Sequence, residues 1–187
     1  QISGSIALAA IAVAVLSLVT VYCTGKIYAS LKTIPAWHQT IVPVNYVILA
    51  LMTGAVWFLA LLNIFSLPSM QVSVMAVVLL VFGLAAKVRF WRQIDHAPVT
   101  STSGTATGLG DLGEVRLLET PNTSANYLNT EMGFKVARKH AAKLRRIAII
   151  FGFVLPALLV ILAGLASGVP AVLFSCLAAL LMMVGMV

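Results

Sequence analysis

The chain has 187 residues, of which 61% are hydrophobic and 9% carry a formal charge, with 12 Lys and Arg against 5 Asp and Glu. A soluble domain is about 25% charged, so a mean hydropathy of +1.06 excludes a water-soluble globule. Residues 1–25, 39–86 and 147–187 contain no Asp, Glu, Lys or Arg, and runs of about 18 or more apolar residues read as spanning helices, whereas the roughly ten-residue alternation of a membrane barrel is missing.

The first span is expected at about residues 3–25. The chain starts at Gln1 inside this apolar run, with no basic stretch or small-residue cleavage site before it, so the run is not a signal peptide. The chain therefore reads as part of a longer membrane protein. Next comes CTGKIYASLKTIPAWH (23–38), which brings Lys26, Tyr28, Lys32, Pro35, Trp37 and His38 together at one membrane boundary. The second span, about 41–64, opens around Pro43 and closes before Pro68, and the third is about 70–90.

A polar segment at about 93–145 follows. Its first half, 97–125, is rich in Ser, Thr and Gly and reads as turns. Its GLGDLG (108–113) matches a dinucleotide-binding pattern, but that pattern carries meaning only between a strand and a helix of a βαβ unit, and none fits here. Gly104, Gly108, Gly110 and Gly113 instead suggest a loop that orders against a partner. The second half, 126–146, is expected to form an amphipathic helix. Phe134, Ala137, Ala141, Leu144 and Ala148 share one face, and Lys135, Arg138, Lys139, Lys143, Arg145 and Arg146 occupy the rest. This helix leads into a fourth span at about 147–167, with Pro156 as a kink. A fifth follows at about 169–187. The expected fold is an all-α integral membrane protein, a single bundle of about five transmembrane helices with the polar segment on one face.

All 12 basic residues lie on the same side of this topology. The joints at 65–71 and 167–170 carry no charge. The positive-inside rule places the charged face in the cytoplasm. Lys26, Arg89, Arg92, Lys135, Arg138, Lys139, Lys143, Arg145 and Arg146 are candidates for docking an acidic partner or anionic lipid headgroups. A purely topogenic role is the plainer reading, and nucleic acid is not expected beside a membrane span. Cys23 and Cys176 are far apart and have no clustered His, so no metal site is expected. His38, His96 and His140 show no metal-ligand spacing. Tyr28, Lys32, Trp37, His38, Asn45 and Tyr46 form the candidate quinone site, offering hydrogen-bond partners beside an apolar slot and a His to exchange the quinol proton. An ordinary interfacial aromatic belt is the alternative. No catalytic residue is expected. A transporter or channel usually keeps an ionisable group at mid-membrane, and the spans have no Asp, Glu, Lys or Arg. A transporter fragment and a structural tether that carries no electrons remain the competing readings.

Tyr28, Ile34, Pro35 and Trp37, followed by Pro43 and Tyr46, resemble the segment that ends a middle span in the DMSO-reductase membrane anchor subunits, the DmsC-like family. VARKHAAKLRRIAIIFGFVLP (136–156) is similar to longer members of that family. The resemblance implies an anchor of about eight spans, this chain being roughly spans four to eight. It also implies an iron–sulfur partner subunit, a molybdopterin catalytic subunit beyond it, and electron exchange with menaquinone or ubiquinone, with no covalently bound cofactor in the anchor. The family's quinol-binding residues lie in earlier spans, so the cluster around His38 rests on its residues alone. In the respiratory enzymes the face corresponding to 26–38 lies outside the cytoplasm, where the exported catalytic subunit docks. The charge count places it inside. Either the bias records docking, or the chain resembles the cytoplasm-facing, sulfite-oxidising branch (SoeC-like), and the second is the expectation.

Overall fold

The structure is a computed structural model that describes residues 2–32, 34–96, 101–116, 118 and 139–186. Among these residues there are helices and turns and no strand. Five helical segments are long and apolar enough to cross a membrane. They are α1 (Ile2–Ser30), α2 (Val42–Ile64), α3 (Met70–Asp95), the pair α5 (Ala141–Ile149) and α6 (Leu155–Leu165), and α7 (Val169–Met186). The short α4 (Ser103–Thr107) lies in the polar segment. Several helices outrun their apolar stretches: α1 continues through Lys26 to Ser30, and α3 carries Lys87, Arg89 and Arg92 in its last turns.

The chain divides into two units, one of residues 1–95 and 145–187 and one of 96–144. In the first, α2, α3, α6 and α7 form a ring of neighbours, and α1 packs on the outside of α2. Water does not drive helices together inside a bilayer, so close packing of small residues must do so. The core accordingly joins Met52, Val56, Leu59 and Ala60 of α2 to Ala76 and Leu80 of α3, Val160 of α6, and Ala178, Ala179 and Met182 of α7. The glycines mark the tightest crossings. A Cβ on Gly185 would overlap the backbone of Gly152, and one on Gly83 would strike the Met52 side chain.

Between α5 and α6 the helix widens into a π-turn, Ile150–Val154. The Leu155 N–H bonds to Ile150 O, five residues back. Pro156 explains this turn: its ring would clash with the carbonyl four residues earlier in a regular helix, and a wider turn relieves the clash. The α2 end is built from a different device. Leu67 N–H bonds to Leu62 O at 2.8 Å and Ser66 N–H to Asn63 O at 3.1 Å, the paired bonds of a Schellman cap. Ser66 takes the left-handed position of that cap at φ 58, where glycine is the usual occupant.

In the second unit, GLGDLG is a capped turn. Thr102 and Thr105 form a capping box on α4, Gly108 ends it at φ +69, and Gly110–Leu112 makes one 3-10 turn. Of the amphipathic helix expected over 126–146, residues 126–138 lie outside the described residues.

Candidate functional site

The end of α1 leaves backbone carbonyls with no intrahelical partner. The chain then turns sharply at Pro35, which needs no backbone donor at that corner. Ile34 O accepts from Trp37 N–H at 2.9 Å and from His38 N–H at 3.0 Å, and Gln39 Nε2 donates to Pro35 O at 3.0 Å. This turn carries His38 back against α1. Its Nδ1 lies 2.7 Å from Ala29 O, one of the carbonyls of the last turn. A carbonyl oxygen can only accept, so Nδ1 carries a hydrogen, and in the neutral ring Nε2 keeps its lone pair.

The same turn builds an aromatic stack. Tyr28 meets Trp37 edge-on, with centroids 5.1 Å apart, and lies nearly parallel to Tyr46 of α2 at 5.7 Å. Gly25 makes this crossing possible. A Cβ there would lie 2.7 Å from Pro43 Cα and 3.2 Å from Tyr46 Cβ, so only glycine lets α1 approach α2 this closely. Asn45 is buried beneath, with its Oδ1 unpartnered among the described residues.

Beside the stack is a cleft of about 270 Å³ lined by Tyr22, Lys26, Ala29, His38, Gln39, Thr40, Pro43 and Val44. Tyr22, Lys26 and Ala29 fall on one face of α1 at helical spacing. The cleft thus offers an imidazole, an ammonium, a phenol and an amide at one membrane boundary.

The basic residues of the first unit gather at the same boundary. Arg145 makes a two-pronged ion pair with Asp95, at 2.6 and 2.8 Å, which ties α5 to the end of α3. The Arg145 guanidinium and the Lys87 ammonium both lie over the Trp91 ring, at 5.5 and 5.7 Å. Lys26, Lys32, Arg89, Arg92 and Arg146 are exposed. In the second unit, Lys139 and Lys143 are exposed as well. Lys135 and Arg138 lie outside the described residues. Among the described residues no three His, Cys, Asp or Glu side chains gather as metal ligands.

The model of the DMSO reductase anchor subunit (DmsC) family matches residues 5–187, nearly the whole chain. The chain belongs to that family. No curated protein and no solved structure matches it. The DmsC-family chain is thus a multi-pass membrane protein, an anchor subunit of a DMSO-reductase-type complex.

In this anchor subunit the six residues expected at the quinone site separate into three groups. His38 lines the cleft; Tyr28, Trp37 and Tyr46 stack behind it and hold the turn. Lys32 and Asn45 do not line the cleft. Lys26, expected to dock a partner, does line it, together with Tyr22, Gln39 and Thr40, which sequence reasoning missed. The helical phase that sets Tyr22 on the same face of α1 as Lys26 and Ala29 could have grouped Tyr22 with Lys26; Gln39 and Thr40 lie on the turn and carry no such signal.

Proposed function

We propose that this anchor subunit exchanges electrons with a membrane quinone at the His38 cleft and passes them to or from a docked iron–sulfur subunit that carries a molybdopterin subunit. The observation that carries the reading is His38 itself. Its Nδ1–H is committed to Ala29 O, and it lines a cleft walled by Lys26 and Tyr22. A quinone supplies a couple of two electrons and two protons. As two electrons leave toward the iron–sulfur subunit, His38 Nε2 takes the proton from one quinol oxygen and the proton of the other passes to water at the membrane boundary; both return when the electrons flow the other way. The Lys26 ammonium and the Tyr22 hydroxyl donate hydrogen bonds to ring oxygen, and the aromatic stack keeps His38 from swinging away. At about 270 Å³ the cleft takes a ring rather than a whole molecule, and Val44, half exposed at its rim, lets the tail run into the lipid.

The exposed cations Lys32, Arg89, Arg92, Lys139, Lys143 and Arg146 supply charge for docking the iron–sulfur subunit, with Lys135 and Arg138. The charge bias supports a cytoplasmic position for this end, and the family supports a bacterial inner membrane.

The test uses the full complex purified gently from its native membrane. Stoichiometric molybdenum and iron with two soluble subunits are expected; an anchor isolated without metals overturns the docking reading. In the His38→Ala complex, quinone-linked turnover falls by about 100-fold. Turnover with a dye that trades electrons directly with the metal subunits stays unchanged. Equal quinone-linked turnover in the variant removes His38 from the reaction.

A further inference from the structure

A second cleft, of about 460 Å³, lies at the uncharged end of the bundle. The turn after α2 and the start of α7 form its walls, with Asn63, Ser66, Ser167, Gly168 and Ala171 among the lining residues. It is separated from His38 by the length of α2, roughly 30 Å from Val42 to Asn63 at about 1.5 Å per residue.

Asn63 is 6% exposed, and its amide nitrogen has no hydrogen-bond partner among the described residues. A buried donor left unpaired in a spanning helix is costly, and a leucine would fill the same space without that cost. The donor therefore calls for an acceptor that the bundle itself does not supply. The α7 N-terminus supplies more donors in the same cleft. The amides of Val169 and Ala171 lie in the first turn, where a helix offers them no acceptor, while Val172 N–H is taken by Gly168 O at 3.3 Å. The Ser66 and Ser167 hydroxyls add to them.

The charge balance selects the ligand. The positive pole of α7 and the negative pole of α2 both face this cleft. Residues 39–86 and 147–187 contain no Lys or Arg to neutralise a net anion. Such a pair of opposed poles, with no fixed charge, suits a zwitterion. With 23 residues, α2 is about 35 Å long and overreaches a hydrocarbon core of about 30 Å, so its end lies at headgroup depth. We propose that this cleft binds the headgroup of a zwitterionic phospholipid. The phosphodiester accepts from the Asn63 amide and the first turn of α7, and the ammonium lies toward the carbonyls that end α2. These carbonyls, of Leu61, Leu62 and Asn63, each bond one N–H of the cap and keep a second lone pair.

The proposal is independent of the quinone reading, and failure at one end leaves the other standing. The complex is stripped of lipid in detergent. It is then titrated with phosphatidylethanolamine, phosphatidylglycerol or inorganic phosphate, with native mass spectrometry and thermal unfolding as readouts. One phosphatidylethanolamine per chain is expected, at least tenfold tighter than phosphatidylglycerol, with inorganic phosphate not held. Asn63→Leu loses at least tenfold in retention while its lipid-free unfolding midpoint equals or exceeds that of the wild type. Val172→Trp, which fills the cleft and leaves Asn63 in place, also loses the lipid. Equal retention by Asn63→Leu overturns the proposal, and so does phosphatidylglycerol or free phosphate binding as tightly as phosphatidylethanolamine. His38→Ala retains the lipid in full.

Discussion

The contact between α1 and α2 at Gly25 offers the sharpest perturbation of the site, because it changes neither the cleft residues nor the charges. In Gly25→Ala the new Cβ would sit 2.7 Å from Pro43 Cα, against a comfortable carbon–carbon separation of about 3.5–4.0 Å. Pro43 is backbone and ring, so no flexible side chain can swing aside, and the helices must part by about 1 Å. Overpacking of this kind costs about 1–3 kcal/mol. The same displacement acts on the site. The His38 Nδ1 to Ala29 O bond is 2.7 Å long, and an added ~1 Å takes it beyond hydrogen-bond range. Losing one such bond is worth about 1 kcal/mol, or roughly fivefold in a rate that depends on the orientation of His38. The assay pairs thermal unfolding of the complex with the ratio of quinone-linked to dye-linked turnover. A lower midpoint with the ratio down about fivefold is the expected result. An unchanged midpoint refutes the close crossing, and a lower midpoint with an unchanged ratio refutes the dependence of turnover on the His38 contact.

Other substitutions read other parts of the fold. Gly185→Ala places a methyl group against the backbone of Gly152 and is expected to lower stability by about 1–3 kcal/mol; Gly54→Ala, with nothing within 4 Å, is expected to be neutral or up to about 1 kcal/mol stabilising, and the pair is checked by thermal unfolding in the same detergent. Ser66→Gly relieves the left-handed φ of 58 and is expected to raise stability by about 0.5–1 kcal/mol, seen as a midpoint a few degrees higher. Asp95→Asn breaks the two-pronged pair with Arg145, whose side chains are 36% and 45% exposed for Arg145 and Asp95, so screening limits the loss to about 1 kcal/mol; exchanging the two residues, Asp95→Arg with Arg145→Asp, should recover part of it in the same assay.

The spans were legible because bilayer thickness imposes a length on each helix, and long stretches free of charge satisfy it without reference to any neighbour. The aromatic turn was legible for a similar reason: Tyr28, Trp37 and His38 lie within 11 residues of one another, so a single local bend unites them. The cleft depends on something else. Whether Lys26 faces His38 is decided by the rotation of α1 about its own axis, which is fixed where Gly25 meets Pro43. That is a contact between helices, and nothing in the local pattern of α1 specifies its partner. The π-turn before Pro156 was half legible: proline announced a disturbed helix, but the close approach of Gly152, within that turn, to Gly185 is a contact between helices that no local pattern specifies.

The basic residues show how far a charge count carries. Counted along the chain, the cations form one class, and a topogenic signal accounts for them all. In the fold they separate by what each one touches. Arg145 is held by Asp95 and packs on Trp91, which fastens the end of α3 to the start of α5, while Lys87 lies over the same ring within α3. Lys26 turns into the cleft, while Arg89 and Arg146 stay exposed. A topogenic signal requires only that positive charge stay on one side, and it is indifferent to these partners. Reversing the charge of Arg145 should therefore lower the stability of the bundle, whereas reversing Arg89 should weaken retention of the iron–sulfur subunit and leave the bundle intact. Retention that falls equally in both variants, measured by co-purified iron at matched thermal stability, contradicts this division.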